Sequence, residues 1–203
     1  MKLYLLRHGR TLWNEAGRLQ GRTDVPLSAQ GRESARKTAE LLADVPFSAA
    51  FSSPLSRARE TAELIAGGRI PVQTDARLLE LSFGAAEGMC IFGLQREERP
   101  TFRLFSDSEH YVPPEGGESY RALCRRCKGF LQEVILPREQ DWEHVLIVAH
   151  GGTVRGLFSA MFGARAQEIY GSHVQKNCAV NRIAYAAGVF FPEQIARDYC
   201  EEV

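Results

Sequence analysis

Two stretches of this chain end the same way. "KLYLLRHG" and "HVLIVAHGG" are short, almost uninterrupted apolar runs that stop at a histidine followed by glycine. An apolar run of this length reads as a strand buried on both faces, as in a parallel sheet covered by helices. Around these two runs, other short apolar segments alternate with helix-period patterns. The alternation predicts an α/β chain folded as a three-layer α/β/α sandwich with a mostly parallel central sheet. Strands are expected at residues 2–6, 49–52, 71–74, 144–149 and 182–186, with a last one near 189–191. Helices are expected at 28–43, 54–65, 119–135 and 153–162. In "SSPLSRARETAELIA", Ser53 suits the N-cap and Pro54 the first helical position, with Leu55, Ala58, Ala62 and Ile65 as the inner stripe.

The 203 residues are enough for one sizeable core, so 1–203 is read as a single domain. Residues 89–118, aromatic and broken by Pro and Gly, form the least regular region and are expected to lie over the core as a cap-like excursion. Lys and Arg number 25, as do Asp and Glu, so the net charge is zero and neither nucleic acid nor a membrane surface is an expected partner. No apolar stretch approaches the roughly 20 residues of a membrane span. The N-terminal run is too short for a signal peptide and is cut by Arg7, which points to the cytoplasm. Five cysteines fit that compartment as reduced thiols. Cys124 and Cys127 form a lone CxxC on the apolar stripe of a helix with Leu123, Phe130 and Leu131, and read as core rather than as zinc or redox chemistry. Nothing in the pattern points to an oligomeric state.

Ligands of open α/β sheets sit beyond the carboxyl ends of the parallel strands. Two strands ending in His8-Gly9 and His150-Gly151 deliver two imidazoles into one crevice, with glycine allowing close backbone approach. Arg7 abuts His8, and Arg57 lies in the first turn of an expected helix, where the helix dipole already favours anions. Guanidinium groups match phosphate oxygens in a fork geometry that lysine lacks. Such a cluster repels a divalent cation, so a metal site built on two histidines and a carboxylate is disfavoured, and no cofactor is expected. The cluster suits a dianionic phosphate ester. His110, His144 and His173 read instead as surface or satisfied polar positions.

"LLRHGRTLWNEAGRLQGRTDVPLSAQG", "FSSPLSRARETAELI", "LLELSFGAAEGM" and "IVAHGGTVRGL" resemble four successive signatures of the histidine phosphatase superfamily, in its phosphoglycerate-mutase-like branch. The resemblance runs from the first residue to about 177–180 and is greatest to the small phosphatases, such as α-ribazole phosphatase. It implies a metal-independent phosphomonoesterase acting on a small phosphorylated metabolite. His8 is then the nucleophile that forms a phosphohistidine. Arg7, Arg57 and His150 hold the equatorial oxygens, and Asn14, Gln20, Gly21 and Gly151 add phosphate contacts. Glu80 protonates the leaving oxygen and then takes a proton from water. Glu87, seven residues on in the same motif, is given a structural role.

Two positions depart from the family pattern. Arg10 stands where relatives carry Glu or Gln, and Ala86 where many phosphatases carry Trp. Both bear on the pocket rim and hence on specificity. The alternative function is a cofactor-dependent phosphoglycerate mutase, but "AHGG" replaces the mutases' "AHGN". The stretch at 89–118 is short, and its Arg96, Arg99 and Arg103 are interleaved with Glu97 and Glu98. A binding module without turnover is the third reading, set aside because both His8 and Glu80 are present. Phe92, Phe102, Phe105 and Tyr111 either wall a substrate pocket or pack beneath a cap.

Overall fold

The computed structural model, which describes residues 1–91, 110–171 and 175–198, is built on a six-stranded sheet. The strands are β1 (Lys2–Arg7), β2 (Ala49–Ser52), β3 (Val72–Thr74), β4 (His144–Ala149), β5 (Val180–Ala186) and β6 (Val189–Arg197). They lie in the order β3-β2-β4-β1-β5-β6, with β3, β2, β4 and β1 mutually parallel and the β5–β6 hairpin antiparallel. The helices are α1 (Leu12–Glu15), α2 (Ala29–Leu41), α3 (Ser56–Ala66), α4 (Tyr120–Phe130), α5 (Gly151–Phe162) and α6 (Ala166–Tyr170).

The central strands are apolar throughout because both of their faces are covered. Leu3, Leu5, Val145 and Ile147 point to one side and pack with Leu123, Cys127 and Phe130 of α4 and Val154, Leu157 and Phe158 of α5. Tyr4, Leu6, Leu146 and Val148 point to the other, against Ala58, Ala62 and Ile65 of α3 and Leu42 at the end of α2. Alternate residues of one strand thus feed two separate cores, which is the three-layer arrangement the sequence predicts. No helix among the described residues is long and apolar enough to cross a membrane.

Several expectations need correcting. The helix expected from Pro54 begins at Ser56, with Leu55 as an N-cap lacking any side-chain bond. Ser53 Oγ is spent on the Leu55 N–H, and Asp24 reaches in from a distant loop to accept from Ser56 N and Oγ. The cap is tertiary, so no local pattern shows it. The helix expected at 153–162 starts two residues earlier, at Gly151. The last strand runs to Arg197 rather than stopping near 191, because Pro192 is tolerated on an edge strand and falls at a register shift. The helix after Ser119 continues past Phe130 through a π-helical turn, Leu131–Ile135. Neither α1 nor α6 is expected from the sequence. Cys127 is buried and Cys124 half-buried, and the four described cysteines are free.

Most of the expected cap, including Phe92, Phe102 and Phe105, lies outside the described residues, as does His173. Tyr111 packs into the core beside Leu81 and Phe83. Ala86, at the position many phosphatases give to Trp, is buried in the same cluster.

Candidate active site

Strand register makes the site. Arg7, the last residue of β1, pairs with Ala149, the last of β4, so the next residues, His8 and His150, emerge side by side beyond the carboxyl ends. The His8 N–H continues the ladder to the Ala149 carbonyl at 3.0 Å. The two rings lie 5.1 Å apart, tilted by 59°. His8 Nδ1 is 2.7 Å from the Gly9 carbonyl. A carbonyl only accepts, so Nδ1 carries the proton and Nε2 is left with a lone pair. Burial, and the Arg57 and Arg7 guanidiniums beside it, hold the His8 pKa well below the usual 6.5. Burial with Arg57 and His8 does the same for His150.

Both arginines are anchored from behind. Arg57, in the first turn of α3, donates from Nη2 to the Gly21 carbonyl (2.7 Å) and from Nη1 to that of Thr23 (2.9 Å). Burial lowers its pKa to about 10, against the opposing pull of Glu80 and Asp24, so it remains a cation at neutral pH. Arg7 donates from Nη1 to the Gln175 carbonyl at 2.7 Å. Its pKa is likewise lowered by burial. Among the described residues, Arg7 Nε, Arg57 Nε and both ring nitrogens of His150 are buried without a hydrogen-bond partner. Buried polar atoms are almost always paired. A set of them on two cations and a histidine beside an imidazole lone pair is what an anion would satisfy.

Glu80 closes the site at the start of α5. Its Oε1 accepts from the N–H groups of Leu81 (2.8 Å) and Thr153 (3.1 Å), and Oε2 from Gly152 N–H (3.1 Å). A carboxylate at a helix N-terminus is favoured by the macrodipole and the exposed N–H groups. Oε2 takes a single one of these bonds, fewer than Oε1. The Glu80 carbonyl accepts from Arg126 Nη2 (3.1 Å) and Arg22 Nε (3.4 Å), two arginines joined through Glu118.

The remaining expected residues surround this centre. Asn14 Oδ1 (3.1 Å) and Gln20 Oε1 (2.9 Å) both lie within hydrogen-bond distance of the Thr11 hydroxyl, which leaves each amide its NH₂ end for an anion. Gly21 turns with φ +55°, and its carbonyl is already committed to Arg57. Gly151 begins α5, and its carbonyl accepts from the Tyr170 hydroxyl. Gly9 and Gly152 are required by packing. A Cβ on Gly9 would sit 2.6 Å from the Gly31 carbonyl, and one on Gly152 2.7 Å from Glu80 Oε1. Arg10 turns toward Gln30. His110 is exposed, and His144 lies at the far end of β4.

Sequence reasoning missed Thr11, Thr153, Asn177 and Gln175. The Asn177 amide donates to the His8 carbonyl at 2.8 Å, and Gln175 is held by a reciprocal amide pair with Asn181. Thr153 was visible as the residue after "AHGG"; the others have no local signal. No group of three or more His, Cys, Asp or Glu is arranged to hold a metal among the described residues.

The three-layer α/β fold thus gathers two neutral imidazoles, two arginines and a carboxyl at adjacent strand ends, an arrangement with the chemistry to receive a phosphate. Residues 3–197 match the histidine phosphatase superfamily (branch 1), and the chain belongs to that family. It is 33% identical over 165 residues to phosphoserine phosphatase 1 of Hydrogenobacter thermophilus, covering 80% of this chain and 77% of that one. It is 36% identical over 165 residues to 2,3-bisphosphoglycerate-dependent phosphoglycerate mutase 2 of Gloeobacter violaceus, covering 76% and 73%. The crystal structure of α-ribazole phosphatase from Shigella flexneri superposes with a TM-score of 0.82 at 28% identity, covering 98% of this chain and 97% of that one.

Proposed function

We propose that the protein is a phosphatase that hydrolyses small phosphate monoesters through a phosphohistidine on His8, as a single catalytic domain without a metal. The observation that carries this reading is the fixed tautomer of His8. Nδ1–H is spent on the Gly9 carbonyl, so Nε2 presents its lone pair between two cations and a second neutral histidine. In the first step Nε2 attacks phosphorus, the P–O ester bond breaks, and the leaving oxygen takes a proton from Glu80 Oε2. Arg7, Arg57 and His150 receive the charge on the non-bridging oxygens, with Asn14, Gln20 and the N–H groups of Gly21 and Gly151 around them. In the second step Glu80 takes a proton from water, the water oxygen bonds to phosphorus, and the N–P bond breaks to free phosphate and His8. The two guanidiniums supply the positive charge that a metal would otherwise bring. Small phosphatases among the relatives support a small phosphorylated metabolite as substrate. The free thiols support a cytoplasmic setting.

The test is an acid-labile phosphoenzyme. Wild type quenched in base during turnover should carry phosphate on one histidine, and EDTA should leave the rate unchanged. His8→Ala should lose both the adduct and turnover, by a factor of at least about 10³. Normal turnover in that variant, or a requirement for added zinc, manganese or magnesium, would overturn the reading.

A further inference from the structure

Glu87 hydrogen-bonds to none of His8, Arg7, Arg57, His150 or Glu80, yet its carboxylate is saturated. Oε1 accepts from the N–H groups of Arg22 (2.9 Å) and Phe83 (3.1 Å). Oε2 accepts from the N–H (2.9 Å) and the hydroxyl (2.6 Å) of Thr23. The donors belong to two segments: the loop after α1, and the turn that follows Glu80. That first loop is the one whose carbonyls hold Arg57, through Gly21 (2.7 Å) and Thr23 (2.9 Å). Thr23 is therefore gripped by Glu87 on its N–H and hydroxyl, and grips Arg57 with its carbonyl. Gly21 sits inside this contact, with φ +55° and a hydrogen where any Cβ would collide with Glu87 Oε1.

The physical need is plain. An arginine has a long side chain with much rotamer entropy to lose, and its fork aligns with a phosphate only if its plane is fixed. Two backbone carbonyls fix that plane, but they are carried on a loop with no strand ladder of its own. A carboxylate taking several donors from the loop makes strong, charge-assisted bonds and supplies the missing rigidity. Each Glu87 oxygen takes two donors, so the whole carboxylate is spent on holding these two segments together. We propose that Glu87 is a positioning residue for Arg57, acting through loop 21–23 to set the guanidinium against the phosphate.

This rests on the assignment of Arg57 to the phosphate, and the test separates the two. Glu87→Gln, Arg57→Ala and the double variant are compared for kcat/KM on p-nitrophenyl phosphate and on an alkyl phosphate, and for orthovanadate affinity by calorimetry. Misplacing a binding group by about 1 Å costs up to about 100-fold, so Glu87→Gln should lower kcat/KM about 10- to 100-fold, equally for both leaving groups. Orthovanadate should bind correspondingly more weakly. In the Arg57→Ala background the same change should cost less than about 3-fold, because residues acting as a unit are not additive. Thr23→Val, which removes only the hydroxyl bond, should show a smaller loss that also vanishes without Arg57, and it carries the test if Glu87→Gln fails to fold. Equal losses in both backgrounds, a loss confined to alkyl phosphates, or no loss at all would overturn the proposal. A wild type without phosphatase activity would defeat the functional reading alone, since orthovanadate titration still reports the coupling.

Discussion

The attack proposed for His8 requires an unprotonated Nε2 lone pair, and the surroundings of the ring favour that state. Burial removes the water that would solvate an imidazolium, and Arg57 and Arg7 repel one. His150 is held neutral by the same burial and by Arg57 and His8. Both folded-state pKa values therefore lie below that of a histidine in the unfolded chain, near 6.5. As pH falls through that value the unfolded chain takes up protons that the folded protein refuses. Stability contributed by the neutral histidines is thus present above about pH 6.5 and lost below it, with a slope of up to about 1.4 kcal/mol per pH unit for each residue. Urea midpoints measured between about pH 7 and about pH 5 should fall, and His150→Gln should make that fall shallower. A midpoint that rises as the solution is acidified would mean that the histidines are charged in the folded protein.

In the proposed reaction α5 serves two ends at once. Its first residue follows His150 directly, and its second and third N–H groups hold the Glu80 carboxylate. Gly152 allows this approach, because a Cβ there would lie 2.7 Å from Glu80 Oε1. Gly152→Ala should displace the carboxyl while leaving His8 in place. Proton donation matters most for a strongly basic alkoxide and least for nitrophenolate, so single-turnover phosphorylation should slow about 10- to 100-fold with alkyl phosphates and much less with p-nitrophenyl phosphate. Equal slowing for both would detach Gly152 from the proton step. β1 and β4 were legible in the sequence because a strand buried on both faces is apolar throughout, and their endings gave His8 and His150. The start of α3 was not, since its cap is Asp24, distant in sequence. Nor was the start of α5, where two glycines lower helix propensity, although the second, Gly152, is needed for the close approach of Glu80. Glu80 itself was recognisable only through its motif; the N–H groups that hold it come from across the fold.

At the scale of the whole molecule, hydrolysis is to be weighed against transfer, since relatives named for both lie at similar identity. A mutase must shield its phosphohistidine from water until a second hydroxyl arrives, and must hold a substrate carboxylate with cations additional to those on the phosphate. In the proposed site the two arginines at the centre are committed to the phosphate end. Arg22 and Arg126 are tied up by Glu118 and the Glu80 carbonyl. A net charge of zero adds no broad positive field to recruit a second anionic group. In the proposed reaction the carboxyl at the start of α5 serves as acid for the leaving oxygen and then as base for water, which is what a hydrolase needs in its second step. Phosphate should therefore be released from p-nitrophenyl phosphate and from alkyl phosphates without a bisphosphoglycerate primer. With 3-phosphoglycerate, release of free phosphate should exceed formation of 2-phosphoglycerate. Measuring both products in one reaction checks this. Rapid isomerisation with negligible phosphate release would show that water is excluded from the phosphohistidine and would assign the protein to transfer.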